Sequence, residues 1–139
     1  MQLVGLIRIG GRQLDAMPLD GLRVLVLEDE FLIAMDVEQL CRDHGAVDVV
    51  IVASLDNPPA GDAAGPRYDI AVLDLRLRGK STLEFAHGLA ARGIPFIFAT
   101  GLADDHEISR DFPSVHVVSK PYRGPELIEA MVKARNDTP

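Results

Sequence analysis

A chain of 139 residues with 47% hydrophobic and 25% charged side chains is suited to one buried core, and no second domain is expected. Its 21 acidic residues outnumber 14 basic ones, a formal net charge of −7, which argues against nucleic-acid binding because that requires clustered Lys and Arg on phosphates. The single cysteine, Cys41, excludes an internal disulfide and any cysteine-based metal site.

Residues 1–20 read as an extension ahead of a domain at 21–136. Arg8 and Arg12 interrupt its short apolar part and no small-residue cleavage site follows, so it is not a secretory signal. The alternative is an extra edge strand at 3–9 whose open side supports self-association. No apolar stretch reaches the roughly 18 residues of a membrane span, so a cytoplasmic location is expected.

From residue 22 strand and helix patterns alternate. Apolar runs at 22–27, 46–53, 70–74, 95–99 and 115–119 predict five strands. Between them, 30–44 carries Phe31, Ile33, Ala34, Val37, Leu40 and Cys41 near helical spacing, with Gly45 as its stop. This pattern makes Cys41 a core thiol. The stretch 57–67, rich in Pro, Gly and Ala, predicts a short or irregular helix. A helix is expected over 81–92, with Ser81 as N-cap and Gly93 as stop. A short fourth helix is expected within 102–112, and a last one over 124–135 with Pro125 in its first turn. The alternation predicts a doubly wound five-stranded parallel sheet with helices on both faces.

In such a sheet each strand delivers its last side chain to the C-terminal rim. The first strand stops at Glu28-Asp29-Glu30, the third at Asp74, the fourth at Thr100-Gly101 and the fifth at Lys120-Pro121. Several carboxylates, a hydroxyl and an ammonium on one rim suit a divalent cation and a phosphoryl group. A hard cation such as Mg²⁺ prefers oxygen ligands, and Asp29 and Asp74 are the best candidates, with Glu28 behind them and the backbone carbonyl of Arg76 as a third ligand. The cation offsets repulsion between a carboxylate nucleophile and the incoming phosphoryl group, so that Asp74 can attack it and form an acyl phosphate. Thr100 and Lys120 stabilise charge on the transferred group. The Lys120-Pro121 bond is also a place where a cis peptide is cheap. Each residue alone has a plainer reading: Asp74 as a turn residue, Thr100-Gly101 as a strand exit, and the acidic run as a solvated helix start favoured by the helix dipole. Their occurrence in order at four strand ends outweighs those readings.

The runs Val24-Leu25-Val26-Leu27-Glu28-Asp29-Glu30 and Val72-Leu73-Asp74-Leu75-Arg76-Leu77, followed by Thr100-Gly101 and Lys120-Pro121, resemble the receiver domains of bacterial two-component response regulators. The resemblance covers about residues 22–135 and implies the flavodoxin-like receiver fold. It implies that Glu28 and Asp29 bind Mg²⁺, that Asp74 accepts a phosphoryl group from a histidine kinase, and that Thr100 and Lys120 read it. The run Pro95-Phe96-Ile97-Phe98-Ala99-Thr100-Gly101 looks like the signature of the single-domain group called FATGUY, although Leu102-Ala103 continue it differently. Receivers typically carry an aromatic residue three positions before the lysine, where this chain has Val117, so the signal is expected to run through the loop and helix after Thr100.

The resemblance implies a stand-alone receiver. Its output would come from binding a protein target or passing on the phosphoryl group, with a sensor histidine kinase or phosphotransfer protein as donor, docked by an apolar-acidic surface around the first and last helices. Self-association through the last helices and strand is compatible with it. A phosphate sink or shuttle shares the chemistry and fits Val117; a phosphorylation-independent adaptor needs none of that chemistry. The chain is expected not to be an enzyme beyond catalysing its own phosphorylation and dephosphorylation. A small metal-dependent phosphatase is disfavoured, since no second aspartate closely follows Asp74 and no cap domain is present. Arg76, Arg78 and Lys80 read as a solvated loop, or else as an attractor of the phosphodonor. His44, His87, His106 and His116 lack metal-ligand spacing.

Overall fold

The computed structural model describes residues 6–9, 12–15, 17–56, 67–101 and 105–137. Strands β1 (Leu6–Ile9) and β2 (Arg12–Asp15) pair antiparallel in a two-stranded sheet of their own. The described part of the edge strand expected at 3–9, Leu6–Ile9, therefore does not extend the main sheet. Its described residues pair with β2, a neighbour close in sequence, and such a pairing closes more readily than a long-range one.

Five further strands build the main sheet: β3 (Arg23–Leu27), β4 (Asp48–Val52), β5 (Ile70–Leu73), β8 (Phe96–Thr100) and β9 (Val117–Ser119). Two short strands, β6 (Arg76–Leu77) and β7 (Lys80–Ser81), form an antiparallel hairpin between β5 and β8. The main sheet runs β4-β3-β5-β8-β9 with every neighbouring pair parallel. Parallel strands covered on both faces read as continuous apolar runs, and β5 and β8 are buried at every position.

The helices are α1 (Phe31–Asp43), α2 (Leu83–Ala91), α3 (Asp105–Asp111) and α4 (Gly124–Asp137). Strand alternation sends Val24, Val26, Ile70, Val72, Ile97 and Ala99 to one face, against Val37 and Cys41 of α1 and Leu127 and Met131 of α4. Leu25, Leu27, Ala71, Leu73, Phe96 and Phe98 point the other way, toward Ala86 and Leu89 of α2 and Ile108 of α3. Each fully buried Val, Leu, Ile, Phe or Met among them stabilises the fold by roughly 1.5–3 kcal/mol. The doubly wound parallel sheet expected from the pattern is thus the observed one.

Local differences have physical causes. The expected N-cap Ser81 belongs to β7, and Thr82 is the N-cap of α2, because pairing of Ser81 with Arg76 keeps the chain extended one residue longer. Ser81 Oγ still accepts a hydrogen bond from the Leu83 amide at 3.2 Å. Phe31, expected on the core side of α1, is exposed together with Leu32 and Met35. The short helix expected at 57–67 lies outside the described residues except for its last position. At the other end of the sheet Leu19 is fully buried and its amide donates to the His44 carbonyl at 2.8 Å, so the turn at 18–21 packs against the α1–β4 turn.

Candidate functional site

In the order β4-β3-β5-β8-β9 the chain moves one way from β3 to β4 and the other way from β3 to β5. This reversal opens a crevice beyond the C-terminal ends of β3 and β5, the usual ligand position in open α/β sheets. Glu28 and Asp29 follow β3 and Asp74 follows β5, and the sheet ladder seats them there. The Glu28 amide donates to the Val52 carbonyl at 3.1 Å, and the Asp74 amide to the Leu27 carbonyl at 2.9 Å. The next rungs place Thr100 and Lys120, whose backbones pair at 2.8 Å.

The side chains converge. The Thr100 hydroxyl donates to Asp74 Oδ1 at 2.9 Å, and Lys120 Nζ donates to Asp74 Oδ2 at 2.9 Å and to Glu28 Oε1 at 2.6 Å. Glu28 Oε2 accepts the Glu30 amide at 3.1 Å, so this buried carboxylate satisfies the start of α1. The plain reading of the acidic run as a solvated helix start therefore fails for Glu28, while Glu30 is exposed. Carboxylate oxygens of Glu28, Asp29 and Asp74 lie within 4.8 Å of one another. One ammonium amid three such carboxylates leaves excess negative charge, and the all-oxygen donor set fits a hard divalent cation. The Lys120–Pro121 peptide is cis, as the dipeptide allows.

Burial is the dominant influence on Glu28 and raises its pKa against the opposing pull of Lys120. Burial also opposes charge on Lys120, yet its contacts with Glu28 and Asp74 outweigh that and raise its pKa overall. The two directions are compatible: the lysine gains two carboxylates, while Glu28 loses its water and faces Asp74 as well as the lysine.

The expected Arg76 lies in β6, and its guanidinium reaches across to Glu107 of α3 at 2.6 Å. The stretch read as a solvated loop is the β6–β7 hairpin, and its cations have partners: Lys80 pairs with Asp56 at 2.8 Å and Arg78 Nε donates to the Ala53 carbonyl at 3.3 Å. Two contacts at the site escape sequence reasoning. The Thr82 hydroxyl donates to the Asp74 carbonyl at 2.6 Å, and the Arg78 amide donates to Asp29 Oδ2 at 2.9 Å. A threonine just before a helix reads locally as a cap, and a main-chain donor leaves no mark in residue type.

A groove of about 730 Å³ adjoins the cluster between α1 and the turn at 120–124, lined by Ile33, Val37, Leu40, Lys120 and Tyr122 among others. Burial pushes the Tyr122 hydroxyl up to about 12. Val117 is half-buried and, like Phe112, packs against the cluster containing Phe98 and Ile108. The four histidines take structural or surface places: His44 contacts the Leu40 carbonyl, His87 contacts Asp111 and Phe112, His116 contacts Asp137, and His106 is exposed.

No protein-family model matches the chain. Among solved structures, SdrG from Sphingomonas melonis is 35% identical with a TM-score of 0.70, and the match covers 84% of this chain and 97% of that one. A response regulator receiver protein from Sinorhizobium medicae, at 23% identity, has a TM-score of 0.73 over 86% of this chain and 98% of that one, a likeness of fold. The transcriptional regulatory protein PdtaR of Mycobacterium tuberculosis is 28% identical over 112 residues, 78% of this chain. The chain spans about half, 54%, of the length of that curated relative. No helix among the described residues is long and apolar enough to cross a membrane. By its sheet order and by its identity with a relative matched along nearly its whole length, the chain belongs to the response regulator receiver-domain family.

Proposed function

We propose that the protein is a phosphoacceptor in two-component signalling, with Asp74 taking a phosphoryl group from a phosphohistidine on a histidine kinase or phosphotransfer protein. The observation that carries this reading is the Asp74 carboxylate, held between the Thr100 hydroxyl and the Lys120 ammonium, each at 2.9 Å, beside Glu28 and Asp29. A carboxylate oxygen of Asp74 attacks phosphorus, the donor's P–N bond breaks, and the imidazole leaves with that bond's electron pair and takes up a proton from solvent. Thr100 and Lys120 donate to the phosphoryl oxygens and stabilise their charge. The residues fit Mg²⁺: Asp29 and Asp74 with the Arg76 carbonyl would hold it and Glu28 would support it, and the ion, when bound, neutralises charge between nucleophile and phosphoryl group. The protein turns over no other substrate in this reading.

The donor would dock beside the site, where exposed Phe31, Leu32 and Met35 lead into the groove flanked by the acidic side chains Glu30, Asp36 and Asp43. Output follows through protein contacts, and the run Pro95 to Gly101 supports placing the chain in the FATGUY group; Leu102-Ala103 lie outside the described residues. Val117 in the aromatic position favours a second reading, a phosphate sink or shuttle that needs no aromatic rotation.

The test is intact-mass measurement after incubation with Mg²⁺ and acetyl phosphate, with Asp74→Asn as control. Gain of one phosphoryl group by the parent alone is expected. No gain, from acetyl phosphate or from histidine kinases, would leave a phosphorylation-independent adaptor.

A further inference from the structure

We infer that the β6–β7 hairpin aims the carboxylate of Asp29 at the cation, with the main-chain amide of Arg78 as the positioning group; this rests on the metal reading above. The Arg78 amide donates to Asp29 Oδ2 at 2.9 Å from 49 residues away in sequence, and among the described residues Asp29 has no other hydrogen-bond donor. Arg78 has φ 51 and Gly79 φ 82, two successive left-handed residues between the paired Leu77 and Lys80. A two-residue hairpin turn of this kind demands positive φ at both centres, and arginine is a poor residue for it. A non-glycine residue held there beside the acidic pair is an outlier that the site uses.

The hairpin is tied down on three sides. At its base Leu77 is fully buried, the Thr82 amide donates to the Leu75 carbonyl at 2.8 Å, and the Thr82 hydroxyl reaches the Asp74 carbonyl. At its tip Lys80 and Arg78 grip Asp56 and Ala53 beyond β4, and on its flank Arg76 holds Glu107 of α3. The amide therefore approaches Asp29 from a fixed direction. Hydrogen-bonding one oxygen of a ligating carboxylate restricts its rotation and keeps the other oxygen turned to the metal. Asp29 is only half-buried, so without this contact its carboxylate would sample several rotamers.

The test is calorimetric titration of Mg²⁺ and Mn²⁺ into the parent, Arg78→Pro and Arg78→Asn. Proline removes the N–H and cannot adopt positive φ, whereas asparagine keeps the N–H and tolerates the left-handed region. Arg78→Pro should bind about 10–100-fold more weakly, with Arg78→Asn within about threefold of the parent. A folded Arg78→Pro variant that binds metal as the parent does would overturn the inference while leaving the metal reading intact. A parent that binds neither ion would overturn both. Hydrogen exchange in the parent decides the matter without any variant: the Arg78 amide should be protected, further so with Mg²⁺, and exchange at the rate of a free amide would overturn the inference.

Discussion

Replacing Lys120 with methionine keeps most of the apolar stem and removes the one ammonium that touches both Glu28 and Asp74. In the parent, Nζ lies 2.6 Å and 2.9 Å from carboxylates whose side chains are only 5% and 14% exposed. Breaking a fully buried ion pair from one side costs about 3–5 kcal/mol. Here the lysine side chain retains 18% exposure, and Glu28 can relieve the unpaired charge by taking up a proton, so a loss of about 2–3 kcal/mol near neutral pH is expected. For a chain of this size that is a fall in Tm of roughly 6–12 °C. The pH dependence follows from Glu28, whose pKa burial already holds above its unfolded value of 4.5 and which rises further without the lysine. A carboxylate with a raised folded pKa contributes stability that is complete below the unfolded value and lost as pH rises through the folded one. The gap between parent and Lys120→Met should therefore be small near the unfolded value of 4.5 and widen toward neutrality. Urea titrations followed by circular dichroism at those two pH values measure it. Equal midpoints at neutral pH, or a gap that does not narrow in acid, would refute the reasoning.

Thr100→Val removes the hydroxyl on Asp74 Oδ1 and should slow mass gain from acetyl phosphate by about 100-fold, with unfolding stability changed by only about 1 kcal/mol; a time course of intact mass against the parent checks this. Cys41 is fully buried and its thiol is pushed up to about 12, so a disulfide-exchange reagent at mildly alkaline pH should label it only after unfolding in urea. Rapid labelling of the folded protein would contradict that burial. Gly45 has φ 102, and a Cβ there would stand 2.8 Å from the Asp20 Cα, whereas at Gly79, with φ 82, it would meet open space. Gly45→Ala should cost more than about 2 kcal/mol and Gly79→Ala about 1–2 kcal/mol, as measured by chemical unfolding.

The strands and the rim positions of Glu28, Asp74, Thr100 and Lys120 are legible in the residue pattern alone. Fully buried parallel strands must be apolar throughout, so their ends are sharp wherever a charge or hydroxyl appears. The periodicity of α1 marks Val37 and Cys41 as core but also places Phe31 there, because a helical pattern records a face and not where the neighbouring layer ends. The β6–β7 hairpin is invisible to such a reading, because two-residue strands leave no periodicity and Arg78-Gly79 is a weak turn signal.

Residue order therefore settles which side chains stand at strand ends and what chemistry the rim can hold, since strand propensity and burial act locally. Which of those side chains meet is a matter of tertiary structure. Lys120 finds Glu28 across 92 residues, and the Arg78 amide finds Asp29 across 49. Those contacts depend on the strand order that sets β3 beside β5 and on a main-chain hydrogen bond whose donor every residue but proline carries, and residue type encodes neither.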